Sequence, residues 1–132
     1  MAKVVALWDE LRAQPGPFHL ALRGQSMWPA APEGSLLAVT PCPTSALRPG
    51  DMVTFRMGVR VLTHRVRRVL PTGHVVSWGD SLLEADPPIP PEDVLGRAET
   101  VRRGPLFVGR PRLRLTVRRL LASLARRRDR SS

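Results

Sequence analysis

The sequence predicts a mainly β domain with a short helix in front of it and a basic amphipathic helix behind it. Three observations carry that prediction. Pro and Gly cut the chain into short segments, the segments between the cuts alternate apolar and polar residues, and helical spacing occurs only at the two ends. Fourteen Pro and ten Gly among 132 residues exceed the roughly 12% that these two types average together. Pro removes helix hydrogen bonds, so such a density favours strands and turns. A length of 132 residues suits one domain, able to bury about two-thirds of the surface its unfolded chain exposes.

The elements follow in order. Val4, Leu7, Trp8 and Leu11 fall at i, i+3, i+4 and i+7, one apolar stripe on a helix. Strands are expected over residues 18–22, 35–39, 52–56, 59–70, 74–78 and 94–101. The clearest alternation places Val59, Val61, Thr63, Arg65, Arg67 and Val69 on one face, and Arg60, Leu62, His64, Val66 and Arg68 on the other. Met57-Gly58 and Pro71-Thr72-Gly73 are the expected hairpin turns. At the far end Leu113, Val117, Leu120, Leu121 and Leu124 repeat the helical spacing, with Arg114, Arg118, Arg119, Arg126 and Arg127 around them. The expected organisation is a helix in 1–14, a β domain in 15–104, and a basic amphipathic helix and tail in 105–132.

Composition removes several classes. Cys42 is the single cysteine, so no internal disulfide framework exists, and with three scattered His it offers no finger-type metal site. The apolar runs are shorter than the roughly 20 residues of a membrane span. Residues 4–8 are too short for a signal-peptide core. These features lead to the expectation of a cytoplasmic, soluble protein, with peripheral contact at the inner membrane face left open. The net charge of +10 points to a polyanion or a membrane surface, but it is unevenly placed. Residues 1–100 sum to zero, and residues 101–132 hold eleven Arg and one acid, Asp129. Two readings of the segment 110–128 stand equally, peripheral contact with an anionic membrane and a solvated basic helix docked on its own domain, with nucleic acid as the lesser alternative for the same charges.

Four strings stand out. Arg23-Gly24-Gln25-Ser26-Met27-Trp28-Pro29 suits a strained turn that presents a hydroxyl. Pro49-Gly50-Asp51 is a turn feeding a strand, His64-Arg65-Val66 lies in a strand, and Gly79-Asp80-Ser81 follows one, with Asp86 five residues beyond. Taken singly, each has a plain structural reading: Ser26 as a turn residue, His64 as a strand histidine, Asp80 as a turn acid after Gly79, Asp86 as a loop carboxylate. His19 and His74 have no such context, and Asp51 reads as a turn acid. Trp28 and Trp78 adjoin the strings and are expected to line a groove or, for at least one of them, to pack in the core.

In this order and spacing the strings resemble the serine peptidase superfamily of type I signal peptidases and self-cleaving SOS-repressor domains, over about residues 18–100. The resemblance implies a compact signal-peptidase-like β-roll. It places Ser26 at the nucleophile position and His64 where many members carry a catalytic Lys. Lys3 is the only lysine in the chain, so a Ser–Lys dyad is not available, and His64-Arg65-Val66 looks like the archaeal and endoplasmic-reticulum branch that uses His. Asp80 and Asp86 match the two acidic positions, one of which would orient the imidazole. Gly34-Ser35 replaces the Gly-Asp pair often found after the nucleophile string.

The chemistry agrees with those residue types. A Ser hydroxyl needs a base to take its proton, a neutral imidazole does so near pH 7, and a carboxylate on the other ring nitrogen sets the tautomer. The resemblance thus implies a serine endopeptidase acting on a peptide or protein substrate, a leader or signal peptide or the chain itself, with no metal or organic cofactor. Two alternatives belong to other classes: an inactive relative that binds an extended peptide beside a strand, and a basic nucleic-acid-binding regulator on the repressor model. Oligomeric state is not legible.

Overall fold

The computed structural model describes residues 2–104, with side chains from residue 5 onward. The expected helix over 113–124 and the basic segment 110–128 lie outside the described residues. Six strands form one antiparallel sheet: β1 (Phe18–Ala21), β2 (Leu36–Pro41), β3 (Met52–Met57), β4 (Arg60–Val69), β5 (Val75–Trp78) and β6 (Val94–Arg102). Their order is β1-β2-β6-β3-β4-β5, so the last strand in sequence sits between β2 and β3. Every expected strand is present, its ends within two residues of those read from the sequence.

Both faces of the sheet are covered, which is why few of its strands show a fully polar side. Val53 and Phe55 of β3 join Val66, Val75, Val94, Leu47 and Ile89 in one buried cluster. Met52 packs on the other cluster, with Phe18, Leu20, Leu37, Val39, Val61, Leu95 and Ala98 of the sheet and Met27 and Ala31 of the loop after β1. Each fully buried Val, Leu, Ile, Phe or Met side chain among them contributes about 1.5–3 kcal/mol. On the second face Thr54 and Thr63 are buried opposite each other and satisfy one another's hydroxyls at 2.8 Å.

A single helix is described, α1 (Ala2–Arg12). Trp8 and Leu11 are fully buried, whereas Leu7 is partly exposed, so the apolar stripe is narrower than its spacing implied. Polar anchors complete the docking. Trp8 Nε1 donates to Glu92 O at 3.0 Å, while Arg12 Nε donates to Val94 O at 2.9 Å and Arg12 Nη2 to Pro91 O at 3.0 Å. The helix is thereby fixed to the 3₁₀ turn Pro91–Asp93 and the start of β6. No helix among the described residues is long and apolar enough to cross a membrane.

Two local expectations are corrected. The β3–β4 turn is Gly58-Val59, because Met57 still pairs with Arg60 and Gly58 takes the positive φ of 63° that the tight turn needs. Val69 does not share a face with Val61. A β-bulge between Val66 and Arg68 leaves Arg67 out of the ladder with β5, and an extra residue shifts the alternation by one. Val69 accordingly packs with Leu62 and Val66, and the guanidinium of Arg67 lies 5.0 Å from the Trp78 ring centre.

Candidate functional site

Ser26 sits in the loop joining β1 to β2. Hydrogen bonds from Leu22 N–H to Ser35 O and from Gly34 N–H to Leu22 O, both 2.8 Å, close the base of that loop. Inside it, Gly24 takes φ 78° and Trp28 N–H donates to Gln25 O at 3.0 Å. Met27 is pulled fully into the core, which leaves Ser26 half-buried between an anchored Met27 and an exposed Gln25. The N–H groups of Ser26 and Met27 carry no hydrogen bond among the described residues.

The loop after β5 clasps this turn. Ser81 N–H donates to Ser26 O at 2.9 Å and Ser81 Oγ to Gln25 O at 2.6 Å. Gly79 is required by the contact: a Cβ there would lie 3.0 Å from Ser26 O and 2.8 Å from Leu82 Cδ1. Leu82 can rotate away, but the Ser26 carbonyl belongs to the backbone. Gly79→Ala is therefore expected to displace the Ser26 turn by a few tenths of an ångström, changing any covalent labelling of Ser26 several-fold, and to cost about 1–3 kcal/mol of stability. Labelling kinetics at Ser26 beside a thermal melt check this.

His64 lies on β4 opposite Val53 of β3 and keeps only 4% of its surface. The Phe55 ring meets the imidazole edge to face, centres 5.7 Å apart. Its Nδ1 is 2.6 Å from Asp86 Oδ2. The same oxygen accepts the hydroxyl of Ser77 at 2.6 Å, and Asp86 N–H donates to Ser77 O at 2.9 Å. Burial pushes the Asp86 carboxyl up, but hydrogen bonds from His64 and Ser77 and the charge of His64 outweigh it and hold the group below its ordinary 3.8. An ionised carboxylate accepts only, so the ring proton that faces Asp86 is on Nδ1, and in the neutral imidazole this leaves the lone pair on Nε2.

Asp80 goes elsewhere. Its two oxygens take Arg65 Nε at 3.2 Å and Nη2 at 2.8 Å, and Arg65 Nη1 reaches Gly50 O at 2.9 Å. Adjacent strand residues leave opposite faces, so the partner of Arg65 is not the partner of His64. The ion pair ties the loop after β5 to the turn that contains Gly50. Of the two acids expected near the imidazole, Asp86 is brought to it and Asp80 is not.

The other singled-out residues are structural or exposed. Asp51 accepts Arg48 N–H at 2.8 Å, His74 bonds Thr72 Oγ1 at 2.9 Å, and His19 is exposed. Neither Trp28 nor Trp78 belongs to a buried cluster; the core tryptophan is Trp8. Ser77 was not among the expected site residues. It alternates in phase with Val75 and both are fully buried, so a hydroxyl on the inward side of an apolar strand was the signal for it.

Ser26 and His64 are not joined by a hydrogen bond among the described residues. Ser26 lines a small cavity of about 60 Å³ together with Leu20, Leu22, Leu37, Val61 and Thr63, and His64 is not among its lining residues. That volume accommodates a few waters. Comparisons of the chain with protein-family models, curated proteins and solved structures find no match.

Among the described residues β1 is an edge strand, paired only with β2. Since Leu22 bonds toward β2, alternation turns the main-chain groups of His19 and Ala21 to the open edge. Across the cavity, residues 60–64 of β4 extend beyond the β5 ladder, which begins at Arg65. The cavity is therefore flanked by two stretches of strand whose outer main-chain groups are not taken up in the sheet.

Proposed function

We propose that the protein is a serine endopeptidase on a signal-peptidase-like β-roll, with Ser26 as nucleophile, His64 as general base and Asp86 as the carboxylate that orients it. The single observation carrying this reading is the buried 2.6 Å bond between His64 Nδ1 and Asp86 Oδ2. A carboxylate on one ring nitrogen is what makes the other an effective base. An extended peptide pairing with the open edge of β1 would pass the cavity beside Ser26 with its main chain held.

The residues then divide the work. His64 Nε2 takes the Ser26 proton as Oγ attacks the scissile carbonyl carbon, and the carbonyl oxygen gains the negative charge. On this reading the N–H groups of Ser26 and Met27, which carry no hydrogen bond among the described residues, would receive it, a type of interaction worth about 3–4 kcal/mol. Collapse breaks the C–N bond, and the imidazolium returns its proton to the departing amine. A water activated by His64 hydrolyses the acyl-enzyme and restores the hydroxyl. This reading requires Ser26 Oγ and His64 Nε2 to come within hydrogen-bond reach once substrate is in place, as catalytic pairs commonly do.

The test is covalent labelling with a fluorophosphonate followed by peptide mass spectrometry. The expected adduct is on Ser26, forms in the folded protein, and disappears on prior denaturation. An unlabelled Ser26, with a peptide still retained along β1, replaces this reading by that of a non-catalytic peptide-binding module, which the missing Ser26–His64 hydrogen bond favours.

A further inference from the structure

We propose that Ser77 is a positioning residue for the His64–Asp86 pair, its hydroxyl holding the carboxylate in the one rotation that accepts the imidazole N–H. The inference rests on the peptidase reading for its functional meaning and on the geometry of three side chains for its substance.

Asp86 lies outside the strands, in the loop between β5 and β6, where a carboxylate is free to rotate about its Cβ–Cγ bond. Ser77 removes that freedom at two points. Its main-chain oxygen accepts Asp86 N–H at 2.9 Å, and its hydroxyl donates to Asp86 Oδ2 at 2.6 Å. A carboxylate oxygen has two lone pairs. On Oδ2 one faces Ser77 and the other faces His64 Nδ1. With both donors on one oxygen the carboxyl plane is set; with one donor removed it can turn and offer Oδ1 instead.

Ser77 is itself immobile. It is fully buried and pairs across the ladder with Val66 of β4, two residues from His64. A hydroxyl so placed has a single proton to give and must find an acceptor, and here the acceptor is the carboxylate that orients the base. The same donor also helps hold Asp86 ionised, which keeps the proton of the pair on the imidazole. β5 thus serves both halves of the site: Ser77 grips Asp86, and Gly79 two residues on abuts the Ser26 carbonyl.

Nitrogen-15 NMR of the His64 ring tests this without requiring turnover, because the two ring-nitrogen shifts report which nitrogen carries the proton. In wild-type protein at neutral pH the Nδ1–H tautomer should dominate. Ser77→Ala should mix the tautomers and slow fluorophosphonate labelling of Ser26 about tenfold, the loss expected for one hydrogen bond to a charged group. Ser77→Thr, which keeps the hydroxyl, should restore both readouts. Ser77→Cys keeps the volume with a weaker donor and should shift the tautomer in the same direction, so the result does not hang on the Ala variant folding.

Wild-type tautomer ratios in the folded Ala or Cys variant would overturn the inference even if Ser26 is labelled. A tautomer shift in a protein whose Ser26 never labels would uphold the coupling of Ser77 to His64 and remove the peptidase reading instead.

Discussion

On the peptidase reading proposed above, Asp86→Asn is expected to slow reaction at Ser26 by about 10³–10⁴-fold while leaving the fold intact, the size of effect seen when the carboxylate of a serine triad becomes an amide. The reason lies in Oδ2, which accepts from both His64 Nδ1 and Ser77 Oγ. If the Asn oxygen takes that place, both bonds persist but the charge that stabilises the imidazolium is gone. If the amide nitrogen takes it, Nδ1 must become the acceptor, the proton moves to Nε2, and the base is lost. Either orientation weakens His64 as the base of the proposed reaction. Asp80→Asn is the control, since Asp80 serves Arg65 at a partly exposed site and its pair is worth about 1 kcal/mol or less; the His64 tautomer should not change.

The same substitution has a signature in acid. The folded Asp86 carboxyl sits below the 3.8 of an ordinary carboxylate, because the bonds from His64 and Ser77 and the His64 charge outweigh its burial. A depressed value means the pair stabilises the fold fully above that ordinary value, and the contribution fades as pH falls below it toward the folded value. Wild-type protein should therefore lose stability more steeply than the Asn variant on acidification below about pH 4. Thermal midpoints over a pH series measure it, and parallel curves would show that the carboxylate is not held ionised by the fold.

The second large effect concerns the fold alone. Gly96 lies in β6 at the centre of the sheet, opposite Pro41 on β2 and Thr54 on β3. A Cβ at this position would run into Thr40 O, and would stand 2.6 Å from Thr40 C and 2.7 Å from Pro41 Cα. All three are backbone atoms of β2, so no side chain can rotate to relieve the clash. Overpacking costs about 1–3 kcal/mol where side chains give way, and more where they do not. Gly96→Ala is expected to cost at least about 3 kcal/mol, lowering the melting temperature by on the order of 15 °C for a domain of this size. A melt within two or three degrees of wild type would mean that β2 and β6 separate easily.

The strands were legible because their signals are local. Pro and Gly mark where ladder hydrogen bonds must stop, and alternation shows which residues face inward. The bulge at Arg67 was not legible, because it is set by how β4 matches β5, a property of two strands together. The helix stripe at Leu7, Trp8 and Leu11 was correct in phase but silent about depth. Trp8 and Leu11 are buried where α1 meets the start of β6, and the Arg12 anchors that fix the contact reach carbonyls some 80 residues away in sequence.

For the site, the sequence by itself determined the chemical repertoire. With Lys3 as the only lysine, a Ser–Lys pair was not available, and the resemblance pointed to His64 as the base of the proposed reaction. It left Asp80 and Asp86 equivalent, since both follow Gly79 within a few residues. Tertiary structure separated them by strand geometry: His64 and Arg65 leave opposite faces of β4, so one acid pairs with the imidazole and the other with the guanidinium. It also enlisted Ser77, whose hydroxyl has meaning only once a loop brings Asp86 back across β5. Residue types state which groups can donate and accept; the sheet, by fixing which side chains share a face, decides which of them meet.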